Sequence, residues 1–401
     1  MKFARRVSLI QPSATLALST KAKALRERKV DVVDFGLGEP DFDTPEPVKA
    51  AAIEAIRAGF TKYTPPGGTP ELKSAVAEKL RRDNGLAYET KQVTVSCGAK
   101  HSLFNLCQVL FDEGDEVLIP APYWVSYPEQ VRYTGAEPVT IAAAEKNGFL
   151  ITPEQLSAAI TPRSRALILN SPSNPTGATY TRKELEALAD LAIEKDLLVI
   201  SDEIYEPFIY GGLEHASIAS VRPQMFERTV VVNGLSKSHA MTGWRIGYAA
   251  GPADIIKSME KIQGQSTSNP NSIAQKAAVA ALYGGDTHTR AMVSEFDKRR
   301  RYILEQLNAM RGVRCAAPSG AFYVFPNIAG RLDSRFGDRT IKTDGDLAEY
   351  LLDEAEIAVV HGEPFGAPGH LRISYATSLD LIRKGMERMA AAVKKLTLKG
   401  D

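Results

Sequence analysis

Cysteine is scarce in this sequence, and neither sign of charge is in surplus. Cys97, Cys107 and Cys315 are the only thiols among 401 residues, and they show neither disulfide-scaffold nor metal-ligand spacing. They read as buried, reduced thiols of a cytoplasmic protein. The 49 basic and 48 acidic residues leave a formal charge of +1. No nucleic acid and no anionic membrane is therefore expected as a partner. No apolar run approaches the roughly 18 residues of a bilayer-spanning helix. The segment Met1–Ile10 carries Lys2, Arg5 and Arg6 but lacks the apolar stretch of a signal peptide. Low-complexity tracts and obvious internal repeats are missing too.

What remains is a chain too long for one compact core, which implies two domains. Helix starts recur at Thr44-Pro45, Thr69-Pro70 and Thr152-Pro153, each a capping threonine before a first-turn proline. Gly59 closes the first of these helices and Asn84-Gly85 the second. Thr181 and Glu184 form a capping box ahead of Leu185, Leu188 and Leu191. Between these helices lie short apolar runs at Glu116–Ile119, Ala166–Leu169, Leu197–Ile200, Thr229–Val232 and Ile246–Ala250. Runs apolar on both faces and bounded by turn residues fit buried parallel strands. Their alternation with helices predicts an α/β fold with a mainly parallel sheet covered on both sides. After about Ser294 the pattern becomes that of a smaller α+β unit. It has a basic helix around Lys298-Arg299-Arg300-Arg301 with a solvated face, strands at Ala321–Phe325 and Leu371–Ser374, a helix at Asp346–Glu354 and an amphipathic C-terminal helix.

In an open parallel sheet, ligands sit beyond the carboxyl ends of the strands. Three successive apolar runs are followed by Asn170-Ser171-Pro172-Ser173-Asn174-Pro175-Thr176-Gly177, by Ser201-Asp202-Glu203-Ile204-Tyr205 and by Asn233-Gly234-Leu235-Ser236-Lys237. An amide, a carboxylate with a phenol, and a lysine thus converge on one edge. Pyridoxal 5′-phosphate (PLP) needs this set: an amine for its aldehyde, a carboxylate for its ring nitrogen, donors for its phenolic oxygen, and a cation with a helix start for its phosphate. Gly36-Leu37-Gly38 lacks the third glycine of a dinucleotide-binding turn and is followed by Pro40. Alone, each residue would usually be structural; their conjunction in chain order carries the reading.

The segment Gly234-Leu235-Ser236-Lys237-Ser238-His239-Ala240-Met241-Thr242-Gly243-Trp244-Arg245-Ile246-Gly247 resembles the PLP-attachment signature of class I aminotransferases. Gly36 to Phe42, Lys62 to Pro65, Tyr123 to Pro128, Ser171 to Gly177, Ser201 to Tyr205 and Leu371 to Ala376 extend the likeness over nearly the whole chain, and it is greatest to the prokaryotic aspartate aminotransferase subgroup, some of whose members also use prephenate. The resemblance implies PLP fold type I. A large domain would span residues 45–293, and a small domain would be built from residues 1–44 and 294–401. It implies a cytoplasmic homodimer with shared active sites, acting on amino acids and 2-oxo acids.

Roles follow from the resemblance, residue by residue. Lys237 matches the lysine that holds the cofactor and then moves protons. Asp202 matches the partner of the ring nitrogen, and Tyr205 and Asn174 the partners of the phenolic oxygen. Arg245 matches the phosphate-binding arginine, with Gly98 and Ala99 at a helix start beside it. Trp124 matches the aromatic stacked on the ring. Tyr63 matches a tyrosine reaching the neighbouring subunit's phosphate. Arg372 matches the clamp on the substrate α-carboxylate, with Gly38 beside it. The stretch Gln263 to Pro270 lacks the arginine that another subgroup uses for the distal carboxylate. Lys100, helped by Thr15, is expected to take that part. Gln11 stands where the subgroup often has a basic residue. The expected reaction is transamination between L-aspartate and 2-oxoglutarate. The alternatives are a broad, aromatic or prephenate aminotransferase, and a PLP-dependent lyase.

Overall fold

A computed structural model describes residues 1–12 and 14–398; the side chains of residues 14–17 and 19 fall outside that description. Strand β1 (Val33–Asp34) belongs to the small unit. The central sheet contains β2 (Val93–Ser96), β3 (Glu116–Ala121), β4 (Glu137–Ala142), β5 (Ser164–Asn170), β6 (Leu198–Asp202), β7 (Thr229–Gly234) and β8 (Gly247–Ala250). It is seven-stranded, in the order β2-β8-β7-β6-β5-β3-β4. The pairs β3–β4, β3–β5, β5–β6 and β6–β7 are parallel.

The run at Ile246–Ala250, expected to be parallel, is a correction. Strand β8 lies antiparallel to both β2 and β7. Periodicity reads burial and not direction, so the run carried no sign of this. The reversal has a consequence for the site: β8 begins, at Gly247, on the edge where its neighbours end, and Arg245 is delivered there.

Alternation along the strands feeds both faces. Val117, Ile119, Ile168, Val230 and Val232 pack with Leu103 and Leu106 of the helix Ala99–Leu110 and with Ile256 and Met259 of the helix Ala253–Ser266. Leu118, Leu167, Leu169 and Val199 turn the other way, onto Leu185, Leu188 and Ala192 of the helix Arg182–Glu194. Helices thus cover both faces of a sheet whose inner strands are buried throughout.

Thr69 and Thr152 cap their helices, and Thr181 forms the expected box with Glu184. Thr44 does not cap. The helix Glu46–Arg57 starts after Pro45 without a side-chain cap, and the Thr44 hydroxyl instead donates to Ala240 O at 2.8 Å and accepts from Trp244 Nε1 at 2.9 Å. Cys107 and Cys315 are buried, whereas Cys97 is only part-buried; all three are free.

The smaller unit contains β9 (Tyr323–Val324), the hairpin β10 (Ser334–Phe336) and β11 (Arg339–Ile341), then β12 (Ile357–Ala358), β13 (Val360–His361) and β14 (Leu371–Ser374). A three-stranded sheet has the order β13-β14-β9, and β1 pairs in parallel with β12, tying the start of the chain to its end. The helix Thr287–Ala309 runs unbroken through the expected domain junction. Its basic run is not one solvated face, because four consecutive residues go fully around a helix. Arg299 falls on the Phe296–Ile303 side, is buried, and pairs with Asp41 at 2.7 Å. Among the described residues, no helix is long and apolar enough to cross a membrane.

Candidate active site

The carboxyl ends of β5, β6 and β7, the start of the helix Ala99–Leu110 and strand β14 surround a cavity of about 250 Å³. Gly38, Ala99, Lys100, Trp124, Asn174, Asp202, Tyr205, Lys237, Arg245 and Arg372 all line it. Gly98 lies one residue outside that lining. Tyr63 is not brought in, and its side chain is 90% exposed. Thr15 is in the first turn of the helix Ala14–Glu27, and its side chain lies outside the described residues.

Asp202 ends β6 and is buried. Its Oδ2 accepts from the Tyr127 hydroxyl at 2.6 Å and its Oδ1 from the Ile204 amide at 3.2 Å. Among the described residues it forms no ion pair. Burial pushes its carboxyl up to about 6, against the pull of those two hydrogen bonds. Lys237 follows β7, and its Nζ donates to Gly38 O at 2.5 Å. Burial pushes its ammonium down to about 8; Glu39 opposes this, and Arg245 and Arg372 reinforce it.

Arg372, on β14, is a buried guanidinium without a carboxylate partner among the described residues. Its Nη2 donates to Gly36 O at 2.6 Å and its Nη1 to Asn174 Oδ1 at 3.1 Å, while Nε is buried with no partner. It lies 4.8 Å from the Tyr323 ring centroid and 5.2 Å from that of Phe365. Burial lowers its pKa. A charge held dry with a free donor is a site for an anion.

At the opposite wall, Gly98 precedes the helix Ala99–Leu110 with φ at +88°. A Cβ there would meet Arg245 Nη2 at 2.3 Å, and one at Gly247 would meet Ala99 N at 2.1 Å. The helix start is thereby pressed against β8 and beside an exposed guanidinium, which makes an anion cradle. Lys100 Nζ stands 4.8 Å from the centroid of the Trp124 ring; burial, and then Arg245, lower its pKa.

Four further residues shape the cavity without having been assigned a part. Tyr127 holds Asp202, and Tyr323 meets Tyr205 hydroxyl to hydroxyl at 2.8 Å. The Asn170 side chain donates to Asp202 O at 2.9 Å and accepts from the Asn174 backbone N–H at 2.8 Å, tying two strand ends together. Ser236 lies in the lining beside Lys237. Tyr127, Asn170 and Ser236 stood inside the segments already singled out, so proximity in sequence was their available signal. Tyr323 had only its place in an expected strand.

Comparison with known proteins agrees with this geometry. The family described as aminotransferase class I and II matches residues 30–389. The aspartate aminotransferase of Geobacillus stearothermophilus is 52% identical, with 97% of this chain and 98% of that one covered. An aspartate/prephenate aminotransferase of Cereibacter sphaeroides is 48% identical, covering 95% and 96%. The crystal structure of the Rhizobium meliloti aspartate aminotransferase superposes with a TM-score of 0.96 at 45% identity, over 99% of this chain and 100% of that one. The family match spans the central sheet, the cavity and most of the smaller unit, and the chain belongs to the class I and II aminotransferases.

Proposed function

We propose that this chain moves the amino group of L-aspartate to 2-oxoglutarate, giving oxaloacetate and L-glutamate, with PLP as the carrier. The observation that carries the reading is the pairing of Arg372, a buried cation with an unpartnered Nε, with Lys237 and Asp202 around one cavity.

The residues present fit PLP. Asp202 is a buried carboxylate lacking a cation, which a protonated ring nitrogen supplies. Tyr205 and Asn174 stand for the phenolic oxygen, Trp124 for the ring face, and Gly98, Ala99 and Arg245 for the phosphate. When bound, PLP contributes an aldehyde that accepts the amino group and a ring that takes up the electron pair released at the substrate Cα.

The chain's own residues do the rest. Arg372 binds the α-carboxylate and so fixes the Cα–H bond relative to Lys237. The Lys237 amine, its pKa lowered by burial to about 8, takes the proton from Cα in its neutral form. Lys100, with Thr15, receives the distal carboxylate and selects acidic substrates. Gln11 is exposed and outside the cavity lining, and its backbone N–H donates to Glu129 Oε2 at 2.6 Å. It brings no charge for a larger dicarboxylate, which supports aspartate over prephenate. The reading includes a cytoplasmic homodimer with shared sites and a large domain of residues 45–293 carrying the cofactor. Its support is the outward-facing Tyr63 and the exposed Arg245.

The test is product stoichiometry. With PLP, L-aspartate and 2-oxoglutarate, oxaloacetate and L-glutamate should form one to one, and steady turnover should need the 2-oxo acid. Continuous release of alanine and carbon dioxide from aspartate without any 2-oxo acid would mark a lyase and overturn the reading.

A further inference from the structure

We propose that Tyr127 is a positioning residue of this reaction: its hydroxyl fixes the orientation of the Asp202 carboxylate and keeps its charge available to the cofactor ring. The inference rests on the proposed role of Asp202.

The geometry is specific. Tyr127 sits in the first turn of the helix Ser126–Thr134, three residues after Trp124. Both Tyr127 and Asp202 are buried. The phenol donates to Asp202 Oδ2 at 2.6 Å, and the other oxygen accepts from the Ile204 amide at 3.2 Å. The two donors grip the two carboxylate oxygens separately, which fixes the rotation of the group. The Tyr127 ring is itself held edge-on by Trp124, with centroids 5.3 Å apart at 81°. One short helix turn thus positions two walls of the cavity.

The electrostatics run the same way. A carboxylate taken out of water is stabilised by each donor it keeps. Burial raises the Asp202 pKa, and the Tyr127 hydroxyl is the strongest influence opposing it. The other titratable groups acting on Asp202 are Glu203, which raises its pKa, and Lys237, which lowers it; Tyr205 lies close by. Glu203 is engaged with His215 at 3.1 Å and with the Ser201 and Ser217 hydroxyls at 2.8 and 2.6 Å, so it is fixed and does not relieve Asp202. Removing the Tyr127 hydroxyl leaves one backbone donor on a buried carboxylate.

The test is a double-mutant cycle read by PLP affinity of the cofactor-free protein, with the absorbance of the bound cofactor followed against pH. Tyr127→Phe keeps the ring and its packing. It should weaken PLP on the order of tenfold, as loss of a charge-assisted hydrogen bond does. It should also move the pH dependence of binding and of the bound-cofactor absorbance upward. In an Asp202→Asn background the same change should cost much less, because the charge it serves is gone. Additive effects, or an unchanged pH profile in Tyr127→Phe, would reduce Tyr127 to a packing role and overturn the proposal. If Asp202→Asn itself leaves both affinity and absorbance unchanged, the role of Asp202 fails first, and the proposal falls with it.

Discussion

Lys237 is the residue whose environment makes the most exposed claim. Its amine is pushed to about 8 from the ordinary lysine value of 10.5, chiefly by burial. The neutral amine is the reactive form, so the rate at which PLP enters the cofactor-free protein should rise with pH through about 8; an inflection near 10.5 in a stopped-flow series would show a solvated lysine. The sign for stability follows. The folded pKa lies below the unfolded one, so burying this lysine costs stability fully below about 8, and the cost fades as pH rises toward 10.5. Lys100 carries the specificity claim. Lys100→Ala should lower kcat/KM for aspartate and glutamate roughly 10²-fold and leave alanine little changed. An equal fall for all donors would assign Lys100 to the phosphate instead. Lys237, Asp202 and Asn174 were legible in the sequence because each follows an apolar run, where strand ends meet ligands. The parts of Tyr127 and Tyr323 were not, since each is defined by a hydroxyl partner 75 or 118 residues away.

At the level of elements, local rules did best where the partner is local. The boxes at Thr152 and Thr181 close within three residues, and both form. Thr181→Ala should cost about 1 kcal/mol, measured as a lower urea midpoint. Activity should hold, because no residue of the helix Arg182–Glu194 lines the cavity. A loss of turnover at unchanged stability would contradict that separation. Thr44 shows the opposite case: its hydroxyl is claimed by Ala240 and Trp244, about 200 residues on, and a tertiary contact displaces the cap. Strands β2 and β4 went unread for different reasons. β2 alternates its valines with Thr94 and Ser96, and β4 is an edge strand in which only Pro138 and Ile141 are buried. The reversed β8 is the deepest miss, since direction depends on its neighbours β2 and β7 and on nothing within the run itself.

For the whole molecule, the proposed assembly makes a prediction that single chains cannot imitate. Tyr63 lines no part of its own chain's cavity, so a shared site needs a second copy. Homodimers of Lys237→Ala should be inactive, and those of Tyr63→Ala should hold PLP weakly. Hybrids of the two carry one site with both residues intact, and mixing should recover PLP affinity and activity in that site; no recovery would separate Tyr63 from the partner's cofactor. The central claim is that Lys237, at the carboxyl edge of the sheet, holds the carrier through which amino groups pass. Its most direct test is to reduce the PLP-loaded protein with borohydride, digest it and locate the pyridoxyl group by mass. The account predicts one group per chain, on the peptide containing Lys237; label on another lysine, or none retained after reduction, would contradict it.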